Sequence, residues 1–221
     1  MSETTLRVDI FSDIACPWCY IGKRRFERAV ASLEFADQIQ VHWHAYQLDP
    51  SLPEHYPGSE HEYLCQAKGM DPSDVTRMME HVTEQAAGEG LNYDFAALRP
   101  GNSFTALRLL AYAKTLGKGD QLKEALLSAH FERGLDTADV STLASLAAEN
   151  GLEAATVTEL LGSTAYSDEV NADIDQARQL GINSVPFFVL EGKYGISGAQ
   201  PSENFASALR QVHAELSGPA A

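Results

Sequence analysis

The chain has few cysteines, few basic residues and no long apolar run, and each shortage narrows what it can be. Three cysteines in 221 residues cannot build the disulfide framework that staples small secreted domains. Lysine and arginine number 16 against 31 acids, a net charge of −15. Such a surface repels phosphate backbones, so nucleic acid is not an expected partner. No stretch reaches the roughly 18 uninterrupted apolar residues of a membrane helix. The first residues, Met1-Ser-Glu-Thr-Thr, lack a basic segment followed by an apolar one, so no secretory signal is expected. These features lead to the expectation of a cytoplasmic protein with no membrane partner. There is no repeat period and no low-complexity tract. What is present is 44% hydrophobic residues, enough for a sizeable core in one or two domains.

Two of the three cysteines stand together near the start. Leu6-Arg-Val-Asp-Ile-Phe11 reads as a strand, and Cys16-Pro17-Trp18-Cys19 follows it after Ser12-Asp-Ile-Ala. Tyr20 to Val30 then has a helical pattern. This layout puts Cys16 at the first turn of a helix, with Pro17 at the first helical position where its missing donor costs nothing. The positive end of the helix dipole is expected to lower the Cys16 pKa. Cys19, one turn on, can attack a mixed disulfide formed at Cys16. Two other readings compete. The pair could be half of a zinc site, but the only other cysteine is Cys65 and no histidine pair completes four ligands, so no metal is expected. It could also be plain apolar packing, which is the simplest reading of Cys65. The strand–dithiol–helix order favours redox chemistry.

Beyond the first helix, Ile39 to Tyr46 alternates, with Ile39, Val41, Trp43 and Ala45 on one face and Gln40, His42, His44 and Tyr46 on the other. His42 and His44 read as a polar strand face rather than a metal pair. From Leu48-Asp-Pro50 the chain becomes a proline-rich connector and then helical. The expected helices are Ser59 to Gly69, a helix capped by Asp71 with Val75, Met78, Met79 and Val82 inward, Phe104 to Leu116, Gln121 to Arg133, Ser141 to Asn150 and Glu153 to Leu161. The two methionines read as core filler. Ser167 is expected to cap the next helix, with Val170, Ile174, Ala177 and Leu180 on its apolar face. Ile182 to Leu190 signals a strand with Pro186 inside it, and a turn at Glu191-Gly192-Lys193 leads to a hairpin partner, Tyr194 to Gly198. A final helix carries Phe205, Leu209, Val212 and Leu216, and Ser217 to Ala221 is expected to fray. Pro186 cannot donate to a ladder, so it lies either at a sheet edge or where the backbone is interrupted. A cis Val185–Pro186 bond would leave Val185 open to pair with an extended peptide.

At these two sites the chain resembles the thioredoxin superfamily, and in particular the DsbA-like, FrnE-type dithiol oxidoreductases. The matching stretches are Ser12 to Arg24, Gly181 to Val189 and Tyr194 to Pro201, together with Asn102-Ser103-Phe104. Leu107 stands where that pattern has a histidine, and Asn183-Ser184 where it often has a glycine. The resemblance implies an α/β thioredoxin fold split by a large all-helical insertion, with the thioredoxin-like part at 1–50 and 166–221 and the insertion at 51–165. It implies Cys16 as nucleophile, Cys19 as resolving thiol and Pro186 as the neighbouring cis-proline. Pro17, Trp18, Val185 and Asn102 are the expected substrate-binding residues. The expected partner is a thiol or disulfide, protein or small molecule, acting on a monomer or homodimer. No cofactor is expected beyond the redox-active pair, with glutathione admitted as electron donor or co-substrate. The competing enzyme class is the kappa-class glutathione transferase or 2-hydroxychromene-2-carboxylate isomerase, which uses a single serine or cysteine and has no need of Cys19.

Overall fold

The apolar run ahead of the cysteines forms β1 (Leu6–Ser12), an inner strand of a four-stranded sheet. The structure is a computed structural model and describes residues 5–217, so the tail expected to fray lies outside the described residues except for Ser217. β1 leads through α1 (Pro17–Ala31) to β2 (Ile39–Ala45), which pairs with it in parallel. The hairpin of β3 (Phe187–Leu190) and β4 (Tyr194–Ser197) adds antiparallel to the other side of β1, giving the order β2-β1-β3-β4. Being inner, β1 is buried on both faces from Val8 onward, Asp9 included, and only Arg7 is exposed. Leu6, Val8 and Ile10 pack with Phe26 and Ala29 of α1, Phe188 of β3, and Phe205 and Leu209 of α9 (Ser202–Ser217). Phe11, on the opposite face, packs with Val189, Ile182, Ala177 and the two cysteines.

Between β2 and β3 the chain is helical: α2 (Glu60–Ala67), α3 (Pro72–Gly88), α4 (Phe104–Thr115), α5 (Gly119–Phe131), α6 (Val140–Glu149), α7 (Ala154–Leu161) and α8 (Ser167–Gln179). Leu107, Leu110, Leu122, Leu126, Leu143 and Val157 centre a second core, which also takes in Ile14 and Ala45. The helical part is fastened to α1 by charge. Lys23, although buried, meets Glu124 of α5 at 3.0 Å and also pairs with Glu27, while Arg24 joins Glu124 and Arg25 meets Glu89 at 2.7 Å.

Several local expectations change in three dimensions. Pro186 precedes β3 rather than lying inside a strand, so no ladder bond is lost to it. Tyr166, in the left-handed region at φ 62, is the N-cap of α8, and Ser167 is its first residue. Leu180 and Leu216 are exposed because each sits at the end of its helix, past the packed face. Val41 is exposed because the start of β2 is an uncovered edge. His44 lies on a polar face of β2 but is not free there: its ring nitrogens lie 2.7 Å from Asp9 and 2.7 Å from Asp173, tying β2 to β1 and α8. α5 begins at Gly119, two residues earlier than its apolar pattern indicates.

Candidate active site

Cys16 is the N-cap residue of α1, and Pro17 occupies the first helical position. The amide of Cys19 donates to the Cys16 carbonyl at 3.0 Å, which closes the first turn and puts the second cysteine beneath the first. Both thiols are free and buried. The Cys16 thiol donates to the carbonyl of Val185 at 3.4 Å, and the Val185–Pro186 peptide is cis. The two loops meet this closely because position 22 is glycine: a Cβ there would lie 2.8 Å from Pro186 Cγ. The Tyr93 hydroxyl donates to the Pro17 carbonyl at 2.7 Å, pinning the dithiol turn to the segment after α3.

The electrostatics differ from what the helix terminus alone predicts. The Cys16 side chain makes no cap hydrogen bond. Its pKa is pushed up, first by its hydrogen bond to Cys19, then by burial and by negative charge at Cys19 and Asp13. Burial also works against ionisation of Cys19. There, however, the hydrogen bond from Cys16, the charge of Lys123, the Ser12 hydroxyl and the Asp13 backbone together outweigh it, and the pKa falls. The expectation of a depressed Cys16 is therefore not met: with a second thiol against it and water excluded, Cys16 is pushed up. A local dipole loses to a buried neighbouring thiol.

Lys123 and Asp13 carry no chemical signal in the sequence, yet both are buried beside the pair. Lys123 Nζ has no hydrogen-bond partner among the described residues and lies 5.5 Å from the centre of the Trp43 ring. Burial lowers its pKa to about 8, against the opposing pull of Cys19, Asp13 and Cys16. Asp13 is raised by burial, although it accepts from the amides of Leu48 at 2.7 Å and Ala15 at 3.3 Å.

A cavity of about 420 Å³ opens on Cys16. Pro17, Trp18 and Val185 line it, together with Met78 and Met79, which face this space rather than filling the core. Cys19 does not reach it, so Cys16 is the sulfur a ligand meets. Asn102 does not reach it either. Its side chain donates to the Leu52 carbonyl at 2.8 Å and accepts from Gln47 at 2.6 Å, holding the connector before α2 against the start of α4. Cys65 sits apart on α2 with its sulfur 3.7 Å from His61.

The DSBA-like thioredoxin domain family matches residues 7–210. The chain belongs to that family. The membership accounts for the mixed α/β architecture and makes the protein an enzyme of the thiol–disulfide oxidoreductase class. A solved probable DsbA oxidoreductase from Streptomyces coelicolor is 39% identical, with a TM-score of 0.90 over 98% of this chain and 93% of that one. An uncharacterized Bacillus subtilis protein, YwbO, is 26% identical over 208 residues, 93% of this chain and 96% of that protein. The solved cytosolic disulfide reductase DsbM from Pseudomonas aeruginosa with glutathione is similar in fold alone, at 19% identity and a TM-score of 0.65 over 93% of this chain and 98% of that one.

His130, on the cavity wall, adds a pH dependence that the sequence does not signal. Fully buried, with the Thr137 hydroxyl 3.2 Å from Nδ1, it has its pKa lowered to about 4 by burial, against a weaker opposing pull from Asp136. The folded state therefore binds fewer protons than the unfolded state between about pH 6.5 and 4, and stability falls as the pH falls through that window. Urea unfolding at pH 7 and pH 4.5 is expected to show about 2–3 kcal/mol more acid loss in the wild type than in His130→Gln.

Proposed function

We propose that this protein is a FrnE-type dithiol–disulfide oxidoreductase working through Cys16-Pro17-Trp18-Cys19. The observation that carries the reading is that Cys16 faces the cavity while Cys19, one turn behind it, does not. Cys16, having passed its proton to Cys19 or to solvent, attacks one sulfur of a substrate disulfide. A mixed disulfide forms and one substrate thiol leaves. Cys19 then attacks Cys16, the internal disulfide closes, and the second substrate thiol departs with the two electrons of the pair. Run backwards, the same steps oxidise a dithiol. Pro186 packs beside the pair and Val185 offers backbone groups to the substrate. Glutathione can serve as a low-molecular-weight donor in this cycle, as supported by the glutathione held by DsbM. We place the enzyme in the cytoplasm. Two observations support this: no helix of the described residues is long and apolar enough to cross a membrane, and the fold is similar to a cytosolic reductase.

The direction of net flow follows from the stability of the reduced form. Because charge at Cys19 is supported by Lys123, Ser12 and the Asp13 backbone, the couple is expected to be more oxidising than about −270 mV, the value of a typical reducing thioredoxin. Equilibration with glutathione buffers, read by mass spectrometry, tests this. A reversible loss of two hydrogen atoms from the Cys16–Cys19 peptide, the two electrons passing to glutathione disulfide, supports the reading. Failure of that pair to join at any buffer ratio refutes it.

A further inference from the structure

On the wall of the Cys16 cavity nearly every charged side chain is already paired or held. Asp49 accepts from Lys68 Nζ and from the Tyr63 hydroxyl, each at 2.6 Å, so that couple brings no net charge. Asp13 is held by backbone amides and lies with Lys123 behind the pair. His130 is neutral near pH 7. One group is left over. Glu60, the first residue of α2, lines the same cavity with no hydrogen bond and no cation within ion-pair distance among the described residues. Burial alone raises its pKa to about 7, as expected for a carboxyl that the fold has desolvated without giving it a partner. The rest of the wall is largely apolar, with Trp18, Leu52, Leu64, Met78 and Phe95 prominent. A partly open cavity of this size suits a small molecule. A ligand carboxylate entering it would find no free cation, because Lys68 is already engaged.

We propose that the Cys16 cavity selects low-molecular-weight disulfides and thiols bearing a cationic group on an apolar body, and that Glu60 is the residue that selects them. The inference rests on the oxidoreductase reading and deepens it by naming a substrate class. An ammonium beside Glu60 gives the half-buried carboxyl the partner it lacks, whereas an anion adds like charge in a poorly solvated space. Glutathione disulfide, rich in carboxylates, is then a slower partner than a diamine disulfide of similar reactivity.

The test uses the reduced full chain and three small disulfides: cystamine as dication, hydroxyethyl disulfide as neutral reference and dithiodipropionate as dianion. Each oxidation rate is divided by that of free mercaptoethanol with the same disulfide, at about 0.15 M salt to screen the general acidity of the surface. The expected result is a cystamine-to-dithiodipropionate ratio that falls roughly tenfold in Glu60→Gln, survives in Glu60→Asp and inverts in Glu60→Lys. Glu203→Gln, which removes the same charge from exposed α9, is expected to keep the wild-type ratio. An unchanged ratio in Glu60→Gln, or faster reaction of the dianion in the wild type, overturns the selection by Glu60 while leaving the oxidoreductase reading standing. No reaction of the wild type with any of the three overturns that reading, and the selection with it.

Discussion

Cys16→Ser is expected to abolish disulfide exchange, at least about a thousandfold in rate, because a hydroxyl is no substitute for a thiolate nucleophile. Cys16 is the sulfur on the cavity, and Cys19 behind it cannot reach a bound disulfide. Cys19→Ser should behave differently. It retains the first attack, loses the resolving step and accumulates a mixed disulfide at Cys16 that is visible by intact mass. It also removes the largest influence raising the Cys16 pKa, the hydrogen bond and charge of the second thiol. Ionisation of Cys16 in Cys19→Ser, followed by thiolate absorbance, is therefore expected at lower pH than the second ionisation of the wild-type pair. Retention of exchange in Cys16→Ser would refute this assignment. Full turnover in Cys19→Ser would point instead to the single-residue chemistry of the transferases and isomerases.

Lys123→Met is expected to strengthen the fold and weaken the chemistry. In the folded protein the buried ammonium has no hydrogen-bond acceptor, and its pKa drops from 10.5 to about 8. Below pH 8 both folded and unfolded states hold the proton and the desolvation cost is fully present. Between about 8 and 10.5 the unfolded state binds more protons, so stability rises with pH across that window. Methionine fills a similar volume without charge, so the variant should gain about 2–3 kcal/mol at neutral pH and lose that slope. Guanidinium unfolding of both proteins at pH 7 and 9.5, with the thiols reduced, measures the difference. The same substitution removes the cation favouring charge on Cys19, so thiol ionisation should move up by about one unit. Exchange at neutral pH should slow accordingly. A variant that is less stable and titrates like the wild type would show that the ammonium is satisfied in solution.

Much of the plan of the molecule is local and so could be read from the residues in order. A strand followed by Cys-Pro-Trp-Cys and a helix needs only short-range rules: β-branched residues in the strand, Pro17 where no donor is required, and an apolar period of 3.6 thereafter. The helix cap at Asp71 acts within a turn and falls where expected. Ser167 does not, because the preceding Tyr166 adopts a left-handed conformation that no residue pattern announced. Asn102 had a plausible motif around it, yet its side chain is used up by the connector before α2. Met78 and Met79 have the spacing of core residues, and only the placement of α3 over the dithiol turns them into a cavity wall.

The order of residues thus determined that two cysteines, one turn apart, stand at the junction of a strand and a helix. Tertiary structure decided how the pair is desolvated, what stands behind it and what a ligand meets in front. Residues 13, 60, 123 and 185 are far apart in the chain, and no sequence periodicity links them. The physical reason is that hydrogen bonds to sulfur, desolvation and unpaired charge depend on distances and on excluded water. Those quantities exist only once the helices between β2 and β3 have packed against the sheet.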